Sequence, residues 1–480
     1  DCDGITPNNE PHIAVDPTDP KHMVASSNDY ESCCDEFYTT FDGGKTWFTG
    51  DMSVESPGNT KRTGSDPVTS FDRKHGTIIH TSLNFLNQGN CPDPNDVADG
   101  DVVASISKDG GKHWNKVVVV GEAGGRSQCG ASGLFNDKEW ITTDNNPASP
   151  HYGTSYATWT AFLSSPSGET LESPIMEAHS TDGGFTWSAP QEISGSNAAL
   201  CTFQTDGPAG ECDEDQFSVP SVGPDGTVYV SFINDQNQAL WEPGEVFDNQ
   251  FLLVKSSDGG QTWSAPTFIV GLEDGSHDFP LNVDGRQTLT NYQVRVGSAT
   301  NIVADPTRNN RLYFVFFDNR NGVHDVDNPV TNTDVFITRS TDGGATWSQP
   351  SQVNPPDSGR GNDQWFPWVD VNPVDGTVGV LYHDRSYDST RNKYQETLAE
   401  SPAGGRSFTT AKVSTAASRP RNSVFFQADV PGCRRCATFH GDYIGLSYGP
   451  DGNANMVWTD MRDLDPTSGL YLQFIYFARR

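Results

Sequence analysis

SSDGGQTWSAP, from Ser256 to Pro266, is the stretch of sequence that decides the fold. Its Asp-Gly-Gly run predicts a tight hairpin turn, because glycine adopts positive φ angles without steric cost. The carboxylate of Asp258 can accept backbone N–H bonds inside the turn, and the ring of Trp263 can cover it with apolar surface. Strand-like runs flank the stretch, with FLLVKS before it and TWSAPTFIV overlapping its end. This segment therefore predicts a β-hairpin.

The chain repeats this stretch along most of its length. Four further good copies are Phe41–Trp47, Ser107–Trp114, Ser180–Pro190 and Ser340–Pro350. A last copy, Ser401–Phe408, has lost both the Asp and the Trp. The aromatic positions of consecutive copies are 61 to 84 residues apart. A repeated all-β unit of this size is typical of a four-stranded propeller blade.

The apolar strands around the hairpins align into seven units. They predict an all-β fold, a single seven-bladed β-propeller over residues 1–480 built from four-stranded antiparallel blades, with six blades as the alternative. The approximate blade boundaries are 10–50, 65–120, 138–193, 215–270, 295–353, 363–414 and 440–480. The last unit has only three strands, so we expect the residues before His12 to supply the fourth and close the ring.

The composition narrows the class of partner. Lys and Arg number 31 against 63 Asp and Glu, which gives a net charge of −32. This charge argues against nucleic acid and against an anionic membrane surface, and no apolar run reaches membrane-spanning length. No signal-like start is present, as expected of a mature chain whose leader has been removed. We expect a secreted, extracellular protein that is a monomer.

Cysteine usage also indicates an oxidising compartment, where disulfides form. The odd count of nine leaves at least one cysteine unpaired within the chain. Cys433 and Cys436 have the spacing of half a zinc site, but no second Cys or His pair stands at matching spacing, so disulfides are favoured. The nine are Cys2, Cys33, Cys34, Cys91, Cys129, Cys201, Cys212, Cys433 and Cys436.

The repeated Asp-Gly-Gly stretch, with Trp three residues after the second Gly, resembles the Asp box of the sialidase-like propeller superfamily. The resemblance covers essentially the whole chain and implies a carbohydrate-active protein. Sialidases are six-bladed and carry an Arg-Ile-Pro motif ahead of the first Asp box, whose Arg binds the substrate carboxylate; nothing of that kind precedes Phe41. The seven units are therefore more similar to the seven-bladed uronate-cleaving lyases, such as ulvan lyases and fungal rhamnose-glucuronate lyases.

The direction of the strands separates two kinds of loop. The Asp-box hairpins lie at one end of the strands, and long loops that contain every cysteine except Cys2 lie at the other, where sites usually sit. Three second strands end there in DNR, HDR or DMR, which places Arg320, Arg385 and Arg462 beside the long loops. With Arg295 they could bind a carboxylate. The alternative is an Asp–Arg pair that supports each loop.

The starts of the first strands should line a central pocket. For β-elimination beside a uronate, the candidate catalytic residues are His80, His440 and Tyr443, although His80 could instead be a hydrogen-bonded histidine between blades. For hydrolysis, the candidates are Asp66, Glu139 and Asp215. Asp66 and Glu139 are also predicted to bind substrate. The remaining strand starts are Asn9-Glu10, Lys138, Gln216, Asp363-Gln364-Trp365 and Gly441-Asp442.

The leading hypothesis is a polysaccharide lyase that cleaves an acidic oligo- or polysaccharide at a glucuronate residue, for example the rhamnose-glucuronate caps of plant gums. The alternatives are an exo-acting glycoside hydrolase of sialidase type and a non-catalytic glycan-binding propeller. No cofactor and no catalytic metal are required. The acidic loops Cys212–Asp215 and His324–Asp327 could hold a structural Ca²⁺.

Overall fold

The computed structural model describes most of the chain, and every regular element in the described part is a β-strand. The described residues are 7–30, 35–52, 63–85, 100–114, 116–123, 133–165, 170–203, 207–235, 249–275, 277–282, 285–297, 300–325, 327–356, 362–402, 404–430 and 433–480. Within these residues, no helix is long and apolar enough to cross a membrane.

The strands of the N-terminal part form two sheets. The first sheet is antiparallel, in the order β1 (Asn8–Asp16), β2 (Asp19–Asp29), β3 (Asp35–Thr40) and β4 (Phe48–Met52). The second has nine strands: β5 (Thr63–Asp72), β6 (Thr77–Phe85), β7 (Gly100–Ser107), β8 (Lys116–Gly121), β9 (Leu134–Thr143), β10 (Ser155–Ser164), β11 (Thr170–Glu172), β12 (Ile175–Ser180) and β13 (Gln191–Glu192). Its two halves, β5–β8 and β9–β13, join where Gly100 pairs in parallel with Phe135.

The rest of the chain continues the same pattern. Three four-stranded sheets follow, and the first consists of β14 (Asp215–Val222), β15 (Val228–Asn234), β16 (Gln250–Ser256) and β17 (Thr267–Gly271). The second consists of β20 (Asn301–Ala304), β21 (Leu312–Asp318), β22 (Asp334–Ser340) and β23 (Ser351–Gln352). The third consists of β24 (Gln364–Val371), β25 (Val378–Asp384), β26 (Gln395–Ser401) and β27 (Thr409–Lys412). The last sheet is β30 (Gly445–Tyr448), β31 (Ala454–Asp460) and β32 (Phe474–Arg479). Two hairpins lie between these sheets in the sequence. One pairs β18 (Thr288–Leu289) with β19 (Tyr292–Arg295), and the other pairs β28 (Phe426–Val430) with β29 (Cys433–Thr438).

These sheets confirm the predicted all-β fold of antiparallel, mostly four-stranded units. Their first strands contact one another in chain order, β1 with β5, then β9, β14, β20, β24 and β30, and β30 contacts β1. At the chain start, the backbone N–H of Asn8 donates to the carbonyl of Gln473 at 3.1 Å. The segment expected to complete the last unit falls partly on residues 1–6, outside the described residues, and from Asn8 onward the chain forms β1.

The hairpin turn has the predicted chemistry. Asp258 accepts the hydroxyl of Thr262 at 2.5 Å and the backbone N–H groups of Gln261 and Thr262 at 3.1 and 3.0 Å. These hydrogen bonds, with that of the Thr262 hydroxyl first, lower the pKa of Asp258 to about 2. Ser256, at the other side of the turn, donates its hydroxyl to Asp258 and accepts the N–H of Gly260 at 3.0 Å. The residue two positions before the Asp is therefore part of the turn, which explains why most copies carry Ser there.

Of the predicted disulfides, the structure describes Cys201–Cys212. Cys2, Cys33, Cys34, Cys91 and Cys129 lie outside the described residues. That Cys433 and Cys436 take part in disulfides stays a prediction.

Candidate functional site

A shared backbone irregularity marks the starts of the first strands. In five of them, two residues stand opposite one on the neighbouring strand, which is a β-bulge. The first bulge residue has a positive φ of 50° to 59°, a conformation usually given to glycine, yet none of the five is glycine. They are Glu10, Asp66, Lys138, Phe217 and Phe366. Such strained positions persist where the surrounding structure holds them, and they cluster at functional sites.

Three of the five bulges line a cavity of about 680 Å³. Its wall includes Asp66, Lys138 and Phe217 from the bulges themselves. The charged lining residues are Asp66, Asp137, Asp235, Asp274, Asp442, Lys138, Arg286 and Arg295. Uncharged side chains such as Gln216, Asn249 and Gln287 add hydrogen-bonding groups. The cavity is therefore a polar recess with five carboxyl groups and three cations.

A chain of hydrogen bonds ties part of this wall together. Arg295 Nη2 donates to Asp442 Oδ2 at 2.8 Å, and the backbone N–H of Asp442 donates to Glu10 Oε1 at 3.0 Å. Asn28 donates its side-chain amide to Glu10 Oε2 at 2.7 Å and accepts the N–H of Asp66 at 2.8 Å. Arg295 and Asp66, which the sequence predicted as substrate-binding, thus reach the same cavity through a common network.

Burial changes the acidity of the cavity carboxyl groups. It raises the pKa of Asp137 to about 7, and the neighbouring charge of Asp66 adds to this effect. Burial and then the charge of Asp274 raise the pKa of Asp235 to about 7. Burial also raises the pKa of Asp442. At neutral pH this wall therefore contains carboxyl groups that can hold a proton, which is what a general acid needs.

Lys138 lies against aromatic rings at the floor of the cavity. Its Nζ lies 3.7 Å from the centroid of the Tyr443 ring and 4.6 Å from that of Trp140, and no hydrogen-bond partner for it is found among the described residues. Trp140 and Trp368, which come from different sheets, meet with ring centroids 4.7 Å apart. These contacts place the Lys138 ammonium group against a cluster of aromatic rings to which two sheets contribute.

Glu139 and Tyr443 lie behind the cavity wall rather than on it. Tyr443 is 1% exposed, and Glu139 is fully buried. Burial, followed by nearby acidic charges, raises the pKa of both groups well above the usual values. Asp215 is also buried outside the cavity, where Asn234 donates to it at 2.7 Å.

The two predicted catalytic histidines also lie in the interior. His80 Nε2 is 3.3 Å from Asp35 Oδ2, and its Nδ1 is 3.1 Å from the hydroxyl of Thr69. Burial lowers the pKa of His440 to about 3, and its ring centroid lies 5.3 Å from that of His383. Among the described residues, no histidine or tyrosine lines the cavity.

The three arginines of the DNR, HDR and DMR motifs are paired with carboxylates away from the cavity. Arg320 binds Asp318 at 2.6 Å, and Arg462 binds Asp460 at 2.5 Å. Arg385 is fully buried and binds Asp363 at 2.5 Å. This arrangement corresponds to the alternative in which Asp–Arg pairs support the loops. Of the four predicted arginines, Arg295 is the one that lines the cavity. Arg286, which the sequence analysis did not identify, lines it as well.

The loop predicted to hold Ca²⁺ contributes to a different set of groups. Ligand atoms of Glu273, Asp278 and His324 lie within 4.8 Å of one another. A set that includes an imidazole nitrogen suits Zn²⁺ or a similar ion better than Ca²⁺. Nδ1 of His324 also contacts the carboxylate of Asp278 directly, so the close approach of these groups does not require a metal.

Comparison of the chain with known proteins finds solved structures of similar fold at 14% sequence identity. No family model and no curated protein matches the chain. A Hadza microbial sialidase, Hz136, has a TM-score of 0.47 at 14% identity, covering 95% of this chain and 76% of its own. The α-L-arabinofuranosidase Arb93A from Fusarium graminearum, solved with an iminosugar inhibitor, has a TM-score of 0.46 at 14% identity, covering 86% of this chain and 92% of its own. Trypanosoma rangeli sialidase, solved with the inhibitor DANA, has a TM-score of 0.41 at 14% identity, covering 80% of this chain and 53% of its own. Similarity at this level does not give a substrate for the chain.

Proposed function

We propose that the chain is a carbohydrate-active enzyme of the glycoside hydrolase type that works in the 680 Å³ cavity on an acidic saccharide. The observation that carries the proposal is Asp137, whose pKa burial raises to about 7, in the same wall as Asp66 and Asp442. Most glycoside hydrolases use two carboxyl groups, one protonated as general acid and one ionised as base or nucleophile. Asp137 has the acidity required of the first.

The second carboxyl group in this proposal is Asp66. Of the neighbouring charges, it is the one that contributes most to the raised pKa of Asp137, so the two groups interact electrostatically. Asp66 lies at a bulge with φ of 59°, and its backbone N–H is held by Asn28. A fixed backbone keeps such a group in one position, as bond cleavage requires.

The cations of the wall are suited to an acidic substituent on the sugar. Arg286 lines the cavity, where its charge also acts on Asp442, and its guanidinium can bind a carboxylate through two parallel hydrogen bonds. Arg295 is oriented by Asp442 and has donors left over. The ring of Phe217 adds an apolar surface against which a sugar can pack.

Hydrolysis is placed ahead of the β-elimination that the sequence favoured. Elimination beside a uronate needs a base such as His or Tyr at the substrate, and His80, His440 and Tyr443 do not line the cavity. The cavity wall instead supplies carboxyl groups. We also infer that the seven sets of strands are blades of one propeller over residues 1–480, and that the protein is a secreted monomer.

The test is an incubation with uronate-containing, sialylated and arabinose-containing glycans in water enriched in heavy oxygen. Hydrolysis predicts products that carry the heavy oxygen and no new ultraviolet absorbance. Absorbance from an unsaturated uronate would establish a lyase instead, and saturable retention without cleavage would establish a binding protein.

Variants then assign the roles. Asp137→Asn and Asp66→Asn should each lower kcat by about 10²-fold or more, the usual contribution of a general acid or base. Asp370→Asn is the matched control, because burial raises the pKa of Asp370 to about 7 as well, and it lies outside the cavity. An equal loss in the control would refute the assignment.

A further inference from the structure

A second pocket lies at the opposite end of the strands, among the Asp-box hairpins, between the sheet β20–β23 and the sheet β24–β27. Its volume is about 340 Å³. Three arginines line it, Arg311, Arg339 and Arg406, and we call it the arginine pocket. The other lining residues are Tyr313, Ser340, Thr341, Thr346, Trp347, Ser348 and Gly404.

The charge of this pocket is opposite to that of the whole chain. The protein carries a net charge of −32, yet no carboxylate is among the residues that line the arginine pocket. Within the described part of the chain, none of its three arginines forms an ion pair. Burial, followed by the charges of Arg406 and Arg311, lowers the pKa of Arg339, so each of these two guanidinium groups repels that of Arg339. An anion bound between them would remove this repulsion.

Two buried hydrogen-bonding groups add to the arginines. Tyr313 is 0% exposed, and neither its hydroxyl nor the indole N–H of Trp347 has a hydrogen-bond partner among the described residues. Gly404 leaves the space in front of them open, since a Cβ there would lie 3.2 Å from the Tyr313 hydroxyl and 3.4 Å from Arg311 Nη1. Buried polar groups without partners are rare, and a ligand that accepts hydrogen bonds accounts for them.

The altered last copy of the Asp box supplies one side of this pocket. Ala403 stands in the sequence where the other copies have Asp, and Arg406 stands where the previous copy has Ala345. The turn itself is kept, because Ser401 still accepts the N–H of Gly405 at 3.0 Å. Both changes make the local charge more positive while the hairpin survives.

The equivalent pocket one sheet earlier shows that the arginines are not a property of the repeat. It is lined by Tyr229, Lys255 and Trp263, the counterparts of Tyr313, Arg339 and Trp347. Thr227 takes the place of Arg311, so this pocket has a single cation. Its Lys255 donates to the carbonyl of Gly343 at 2.9 Å, as Arg339 donates to that of Gly404 at 3.5 Å, so the two pockets differ in the number of cations rather than in this bond.

We propose that the arginine pocket binds an oxyanion, a carboxylate, sulfate or phosphate group, at a site separate from the central cavity. The guanidinium groups of Arg311, Arg339 and Arg406 would pair with the anion through charge-assisted hydrogen bonds. The hydroxyl of Tyr313 and the indole N–H of Trp347 would donate to the same ligand. A volume of about 340 Å³ admits either a free inorganic anion or an acidic monosaccharide.

Calorimetric titration and thermal unfolding test this with sulfate, phosphate, glucuronate and uncharged glucose, at an ionic strength held constant with sodium chloride. We expect saturable binding of the anions and none of glucose. Tighter binding of glucuronate than of sulfate or phosphate would identify an acidic sugar as the ligand, and the reverse would identify a free inorganic anion. Absence of saturable binding by all three anions would refute the proposal.

The variants decide the location. Arg406 is exposed, so Arg406→Gln should fold normally, and it should weaken anion binding about tenfold or more through the loss of a charge-assisted hydrogen bond. Lys255→Gln, in the equivalent pocket, should bind as the unaltered protein does. Unchanged binding in Arg406→Gln, or an equal loss in Lys255→Gln, would overturn the assignment. Because binding is measured directly, the result does not depend on whether the central cavity is catalytic.

Discussion

The raised pKa of Asp137 has a consequence for stability that does not require a substrate. Its value moves from 3.8 to about 7, roughly 3 units, and at about 1.36 kcal/mol per unit ionisation would cost the folded state up to about 4 kcal/mol. The side chain is partly exposed to the water of the cavity, which reduces the penalty, so we expect about 2 kcal/mol. Because the folded pKa is the higher one, this cost is absent below about pH 4, where both states are protonated. It grows as the unfolded chain ionises and is complete once the pH has passed about 7, so stability is lost over that range.

Replacement of Asp137 by Asn removes that titration. The free energy of unfolding, measured by denaturant titration followed by tryptophan fluorescence, should therefore rise in the variant relative to the unaltered protein as pH increases from 4 to 8. Asp375→Asn, at an exposed turn, is the control. Its free energy of unfolding should differ from that of the unaltered protein by the same amount at every pH from 4 to 8. Parallel pH profiles for Asp137→Asn and the unaltered protein would show that burial does not perturb this carboxyl group, and the proposed general acid would lose its support.

Two further predictions concern packing around the site. Gly441→Ala places a Cβ 2.7 Å from the backbone N of Glu10, whereas a Cβ at Gly469 meets nothing within 4 Å. Both glycines have positive φ, so Gly441→Ala should destabilise the protein by about 1–3 kcal/mol more than Gly469→Ala because of the clash alone. Equal melting temperatures of the two variants would contradict the clash. Arg385→Met leaves a buried carboxylate without its ion-pair partner and should cost about 3–5 kcal/mol by denaturant titration. Arg320→Met, at a site 26% exposed, should cost less, and the reverse order would be evidence against this reasoning.

The local chemistry of the repeat was predictable because it is written in adjacent residues. The Asp258 turn needs only its own neighbours, and the structure reproduces it down to the hydrogen bonds. The starts of the first strands were a partial guide, since Asp66, Lys138 and Asp442 line the cavity, whereas other strand-start residues such as Glu139 and Asp215 are buried outside it. A strand start is fixed by the periodicity of the sheet, so its end of the molecule follows from the chain direction.

The partners of individual side chains were not predictable in the same way. HDR suggests that Arg385 pairs with a neighbour in its own motif, but its ion pair is with Asp363, on the segment that enters β24. Arg286, Asp235 and Asp274 reach the cavity from long loops, whose path depends on tertiary packing rather than on a local pattern. The bulges could not be predicted because their positive-φ positions are occupied by residues such as Lys138 rather than by glycine, the residue that usually indicates a positive φ.

The non-glycine bulge gives the first strands a common socket that accepts different side chains. Glu10, Asp66, Lys138, Phe217 and Phe366 occupy the same backbone position with acidic, basic or aromatic groups. A single substitution there would change the chemistry around the axis while the strand pairing stays the same. The repeat thus separates the residues that pair the strands from the residues that set the chemistry at each strand start.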